Sequence, residues 1–260
     1  MSPQMPVRPR SALVAGERAV DPRRAPARRA SPGRGGMWEN PEVVLGPLFW
    51  GLFRASTRQQ RGWCYPAEPA VVSIPGVDPI RILIIGDGPA AGCGVLIHEL
   101  GIAGTLARYV AEHAARGAVV SVIAQPDASA RSTLGCLAGV DFADYDAVVL
   151  MLATTDAFCL TGRRSWQRSM TELVEFLTSS GPASVFVTSA ASMHLTRSLT
   201  PVARRITGKH ARLLDAETRE VCARSGTPMI DLDAANDLTP RTYARWGRRI
   251  GAHIIPSLHR

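Results

Sequence analysis

The sequence predicts an α/β fold, a doubly wound three-layer α/β/α sandwich around a five-stranded parallel sheet. Three observations carry that expectation. From Ile80 onward, short apolar runs alternate with segments of helical period, the pattern of a parallel sheet covered by helices on both faces. The apolar runs are rich in Val, Ile and Leu without inside–outside alternation, as strands buried on both sides require. At 260 residues and 46% hydrophobic content, the chain can bury one core without staples.

Taken in order, the expected strands are 81–85, 119–123, 147–152, 184–188 and 228–231. The first runs directly into a small-residue turn, GDGPAAGCGV at 86–95. A helix with Ile102, Leu106 and Val110 at near-3.6 spacing leads to the second strand. After that strand, Ser129 and Ser132 suit turn and capping roles in a loop and its helix. Trp166, Met170, Leu173 and Leu177 mark the helix after the third strand, and Leu213, Leu214, Glu217 and Val221 the one after the fourth. The last helix opens at Thr239-Pro240, an N-cap followed by proline at the first helical position. It carries Tyr243, Trp246, Ile250 and Ile254. Nothing in the chain repeats.

Three segments follow from composition. Residues 1–36 carry eight arginines against Glu17 and Asp21, which accounts for +6 of the net charge of +8 and leaves +2 for the rest. This Arg/Pro-rich leader is too poor in apolar groups to order itself, and Met37 offers an alternative start. The basicity therefore does not make the domain at 80–260 a nucleic-acid binder. Residues 37–79 form an amphipathic segment and linker. Its stretch VVLGPLFWGLF at 43–53 is far short of the ~20 residues that span a bilayer. With Trp38, Trp50, Arg54, Arg58 and Arg61 around it, it suits either a helix packed on the domain or peripheral membrane contact through 43–61. Five scattered cysteines form no CxxC pair or Cys/His cluster, so neither a disulfide framework nor a zinc site is expected. Reduced thiols fit a cytoplasmic protein, membrane contact being the one addition.

In doubly wound sheets the ligand crevice lies beyond the carboxyl ends of the strands. That gathers 86–92, 125–130, 153–157 and 189–194, with the loop 231–238 closing it. Gly86-Asp87-Gly88-Pro89-Ala90-Ala91 also matches the loose dinucleotide fingerprint. Its context argues against that use, since the second strand ends in Ala124-Gln125 with no acid to hold a ribose. No cofactor is expected.

From Ile80 to the final helix, about 180 residues, the chain resembles the SGNH (GDSL-type) hydrolases, most of all their actinobacterial esterase-like members. The resemblance rests on GDGPAAGCGV at 86–95, VVLMLATTDA at 148–157 and TYARWG at 242–247. It implies a flavodoxin-like α/β/α domain with an esterase crevice. It also implies that the nucleophile position is Gly88, the second-block glycine position is Asp127, and the oxyanion asparagine position is Thr155, preceded by Ala153 where glycine is expected. The base and its orienter fall on Asp237 and Ala234 in one register and on Asn236 and Asp233 in the other. Neither register supplies a histidine, so all four namesake residues are replaced.

The crevice is then expected to be lined by Asp87, Gly88, Asp127, Thr154, Thr155, Asp156, His194, Asp233, Asn236 and Asp237. Asp87 and Asp156 match family acids that brace loops. Together with Asp127 and Asp237 they define a four-carboxylate cation site to be tested against the structure. Cys93 is the other displaced-nucleophile candidate, against a buried structural thiol. Losing the nucleophile or base of such a unit costs on the order of 10⁶ in turnover. The reading adopted is an SGNH-fold protein without family-type catalysis that binds an acyl or glycan-like ligand, or a protein partner, in the old crevice. Two alternatives stand beside it: a hydrolase or acyltransferase with a rearranged or metal-assisted site, and a membrane-surface or nucleic-acid adaptor working through the basic N-terminal segment.

Overall fold

Why the glycine turn lies where it does follows from the order of the strands. The structure is a computed structural model that describes residues 48, 51, 64–67, 70–182, 184–189, 200–235 and 237–258. Within them six strands form one sheet in the order β1-β3-β2-β4-β5-β6. They are β1 (Val71–Ile74), β2 (Ile80–Gly86), β3 (Ala118–Ala124), β4 (Ala147–Met151), β5 (Val185–Thr188) and β6 (Met229–Ile230). The five strands from β2 to β6 pair in parallel, and each covers an expected apolar run.

The sixth strand corrects the expected count. β1 pairs antiparallel with β3, from Val71 opposite Ser121 to Ile74 opposite Ala118. It lies in the stretch assigned above to a linker, and only Val72 of its four residues is buried. Four residues, VVSI, with one buried side chain give too short a signal for periodicity to detect.

Among the described residues, six α-helices flank the sheet: α1 (Ile102–Ala114), α2 (Ala130–Cys136), α3 (Thr154–Phe158), α4 (Arg163–Ser179), α5 (Pro201–Ser225) and α6 (Pro240–Ile254). Successive strand residues alternate between two cores, as a pleated strand dictates. Ile82, Ile84, Val120 and Val149 face α1 and α6, meeting Leu106, Val110, Trp246 and Ile250. Leu83, Ile85, Val148 and Leu150 face the other layer, meeting Trp166, Met170, Leu173 and Leu214. The helix phases expected from spacing hold except at Leu213, which is exposed beside fully buried Leu214. Thr239 caps α6 by accepting from the Thr242 N–H, with proline in its first turn, and Ser129 and Ser132 form a reciprocal capping box on α2.

The chain winds from β2 outward to β3, then returns to β4 on the other side of β2. The reversal puts the switch point between β2 and β4, where such sheets hold their ligands. There Gly86 pairs with Met151. A Cβ on Gly86 would overlap the Met151 carbonyl oxygen, so the close approach of the two strand ends depends on glycine. No helix among the described residues is long and apolar enough to cross a membrane.

Candidate functional site

Two buried aspartates tie the strand ends and loops together at the switch point. Asp87 follows β2 directly, and its Oδ2 accepts from the Thr154 N–H at 2.7 Å and the Thr155 N–H at 3.3 Å. Its own N–H donates to the Met151 carbonyl at 3.2 Å. The turn after β2 is thereby tied to the first residues of α3. Burial pushes the Asp87 carboxyl up to about 7, against the opposing pull of the two N–H donors, and the neighbouring Asp156 adds to the rise. Its Oδ1 is buried without a partner among the described residues.

Asp156, in α3, makes the second tie. Its Oδ2 accepts from the Ala130 N–H at 2.8 Å, at the start of α2, and its Oδ1 from the Thr161 hydroxyl at 2.7 Å. Burial raises this carboxyl too, opposed by those two donors and by His210. His210 comes from α5, with Nε2 2.8 Å from the Thr161 carbonyl oxygen. It was not singled out from the sequence, although Thr207, His210, Ala211 and Leu214 recur at the spacing of a buried helix face.

These ties revise the expected lining. Asp87, Thr155 and Asp156 are only 1%, 4% and 2% exposed, so they present little surface to a ligand beyond the strand ends. The Thr155 hydroxyl is itself buried without a partner among the described residues. Thr154 is half-buried, and Asp127, Asp233 and Asp237 are exposed. Asp233 pairs with Arg249 at 3.2 Å, and Asp237 accepts from the Thr242 hydroxyl at 3.2 Å. Among the described residues no three acidic, Cys or His side chains come together where they could hold a metal ion. The four-carboxylate cation site of Asp87, Asp127, Asp156 and Asp237 is therefore not formed: two members are spent on backbone and hydroxyl donors below the surface. His194 and Asn236 lie outside the described residues, as does 43–61 apart from Leu48 and Gly51.

Solved structures share this arrangement of sheet and helices. A lipase/acylhydrolase from Enterococcus faecalis superposes with a TM-score of 0.54 at 18% identity, covering 67% of this chain and 95% of its own. A variant of an acetyl xylan esterase from Geobacillus stearothermophilus superposes with a TM-score of 0.51 at 11% identity, covering 69% and 95%. The chain has the SGNH hydrolase fold. No protein-family model and no curated protein matches the sequence.

The turn after β2 holds Gly88, the residue that the resemblance aligned with a nucleophile. Here that turn offers a glycine with room to spare. A Cβ on Gly88 would meet only the Pro126 carbonyl oxygen and the Tyr65 hydroxyl, each at 3.7 Å, an ordinary contact distance. A second position of the resemblance, in 148–157, has a glycine-like backbone without glycine. Ala153 sits at φ +112° and ψ −9°, in a region that favours glycine.

Cys93, the displaced-nucleophile candidate, is buried, and burial pushes its thiol up to about 12. It stays protonated at neutral pH and makes a poor nucleophile. Its carbonyl accepts from the Tyr243 hydroxyl at 2.6 Å, and its thiol neighbours the Tyr65 hydroxyl. Tyr65 is the crevice residue that sequence reasoning missed. The segment 64–67 has no periodicity or motif of its own. The only sequence trace of its packing is in the glycines at 92 and 94 that receive it.

Proposed function

We propose that the protein is a non-hydrolytic member of the SGNH fold that binds a ligand or partner in the crevice above Gly88. The observation that carries this reading is the geometry at position 88. The turn is braced and has space for a side chain, yet the residue there has none. Thr155, in the oxyanion asparagine position, keeps its hydroxyl below the surface, and Asp127, in the second-block position, brings a carboxylate to the rim. A carboxylate beside a developing oxyanion opposes the charge that such a hole must stabilise.

An acyl or glycan-like ligand is the class favoured. It agrees with the acylhydrolase and acetyl xylan esterase names of the structures that share the fold. A protein partner is the other occupant considered, and calorimetry with an acetylated xylooligosaccharide separates the two. The decisive assay is hydrolysis of p-nitrophenyl acetate and butyrate by the purified full chain. The expected result is a rate equal to that of the heat-denatured control. Turnover that co-purifies with the protein and disappears in a His194→Ala variant would overturn the reading in favour of a rearranged hydrolase.

A further inference from the structure

We propose that Tyr65 decides what this crevice admits, its phenol hydroxyl bordering the open space at Gly88, within contact distance of the place of a Cβ there. The inference rests on reading position 88 as a vacated nucleophile place, and it adds a bordering group from the chain itself. The segment that delivers Tyr65 is fixed on both sides of the ring. On one side the Cys64 carbonyl accepts from the Gly94 N–H at 2.9 Å. On the other, Pro66 packs on Gly92, where a Cβ would lie 2.8 Å from the proline Cγ. Gly92 has φ +78°, so both its backbone and its missing side chain suit this neighbour.

Between these two anchors the Tyr65 hydroxyl reaches the turn. It lies 3.7 Å from the place of a Cβ on Gly88 and neighbours the Cys93 thiol. Cys93 is held in turn from behind by the Tyr243 hydroxyl on its carbonyl. Burial, Cys93, Asp87 and Asp127 all hold the Tyr65 phenol well above its usual range, so the group before Gly88 is a neutral hydroxyl. A ligand that reaches the turn must share this space or displace the ring. The fold thus excludes bulk at the point where the hydrolases place a reacting carbonyl.

Access to position 88 tests the assignment directly. A Gly88→Cys variant of the full chain gains a reporter thiol, and its alkylation by iodoacetamide is followed residue by residue by peptide mass spectrometry. Adding Tyr65→Ala is expected to speed alkylation at 88 on the order of tenfold, because access no longer awaits local opening. Adding Tyr65→Phe, which keeps the ring and removes only the hydroxyl, is expected to give a rise several-fold smaller than Tyr65→Ala. Buried Cys222, in the opposite layer, reports loosening of the whole domain in the same digest. An unchanged rate with Tyr65→Ala, an equal rise with Tyr65→Phe, or a rise that Cys222 matches would overturn the proposal. Ester turnover is a separate measurement, so failure here and failure of the functional reading are told apart.

Discussion

Beneath the crevice and at its rim, the same loops follow opposite rules. Below, Asp87 and Asp156 are buried and together accept from Thr154, Thr155, Ala130 and Thr161. At the rim, Gly88 has no side chain, and Asp127 and Asp237 are exposed. The ties below serve the fold whether or not any reaction occurs above them, since removing one would orphan buried N–H groups. At the rim Asp237 accepts from the Thr242 hydroxyl at 3.2 Å, and Asp233 pairs with Arg249 at 3.2 Å, an exposed contact whose breaking leaves its donor open to water. The scaffold below can therefore be kept whatever the groups above it do.

The comparison breaks most visibly if chemistry can be restored by one residue. Gly88→Ser puts a hydroxyl at the position that the resemblance aligned with a nucleophile, and the packing has room for the added Cβ. The expected outcome is no gain in p-nitrophenyl acetate hydrolysis, because the resemblance aligns Asp237 or Asn236, and no histidine, with the base. A unit lacking its base loses on the order of 10⁶ in turnover. A rise of several orders of magnitude would mean that the rim kept a working base.

The next effect belongs to the scaffold. Asp156→Ala leaves the Ala130 N–H and the Thr161 hydroxyl without their carboxylate and is expected to cost roughly 2–4 kcal/mol. In thermal unfolding that corresponds to a fall in Tm of roughly 6–12 °C. Asp127→Asn, at the rim, is expected to stay within about 0.5 kcal/mol of the parent. Equal losses at the two sites would erase the distinction between floor and rim.

How much of this was legible in the sequence follows the same division. The five parallel strands and the cap of α6 were readable because continuous burial and a Thr-Pro pair leave strong local signals. β1 was not, since a four-residue edge strand with one buried side chain leaves no period. The braces at Asp87 and Asp156 could be named from the motif, but their depth could not. Depth is set by which backbone N–H groups converge on each carboxylate, a product of topology. Tyr65 was invisible because its role depends on contacts to Gly88 and Cys93, more than twenty residues away and outside any repeating pattern.

Asp87 offers a pH-resolved test of its depth. Its folded value of about 7 lies above the ordinary 3.8. Between those values the folded state holds a proton that the unfolded state has released, so this group's contribution to stability declines as pH rises through the window. Asp87→Asn removes the titration while keeping an acceptor for Thr154 and Thr155. The Tm difference, variant minus parent, is expected to rise from pH 4.5 to pH 7.5 by the equivalent of about 1 kcal/mol or more. A flat difference would mean that Asp87 is solvated and belongs with the rim.

The smallest expected effect concerns the strained backbone at Ala153. Ala153 holds φ +112°, a conformation that costs an L-residue on the order of 1–3 kcal/mol. Ala153→Gly relieves that strain, while the freer unfolded chain returns about 0.4–1 kcal/mol of the gain. The net expectation is a stabilisation of about 0.5–1 kcal/mol in urea unfolding, with the slope unchanged. Such a gain would mean that the neighbouring ties, including Asp87 on the Thr154 N–H at 2.7 Å, impose this backbone shape on a residue ill suited to it. A loss would mean that the alanine methyl, buried among Leu152, Ala157 and their neighbours, contributes more packing than the strained backbone costs. The floor would then be adapted to its present side chains and not merely inherited.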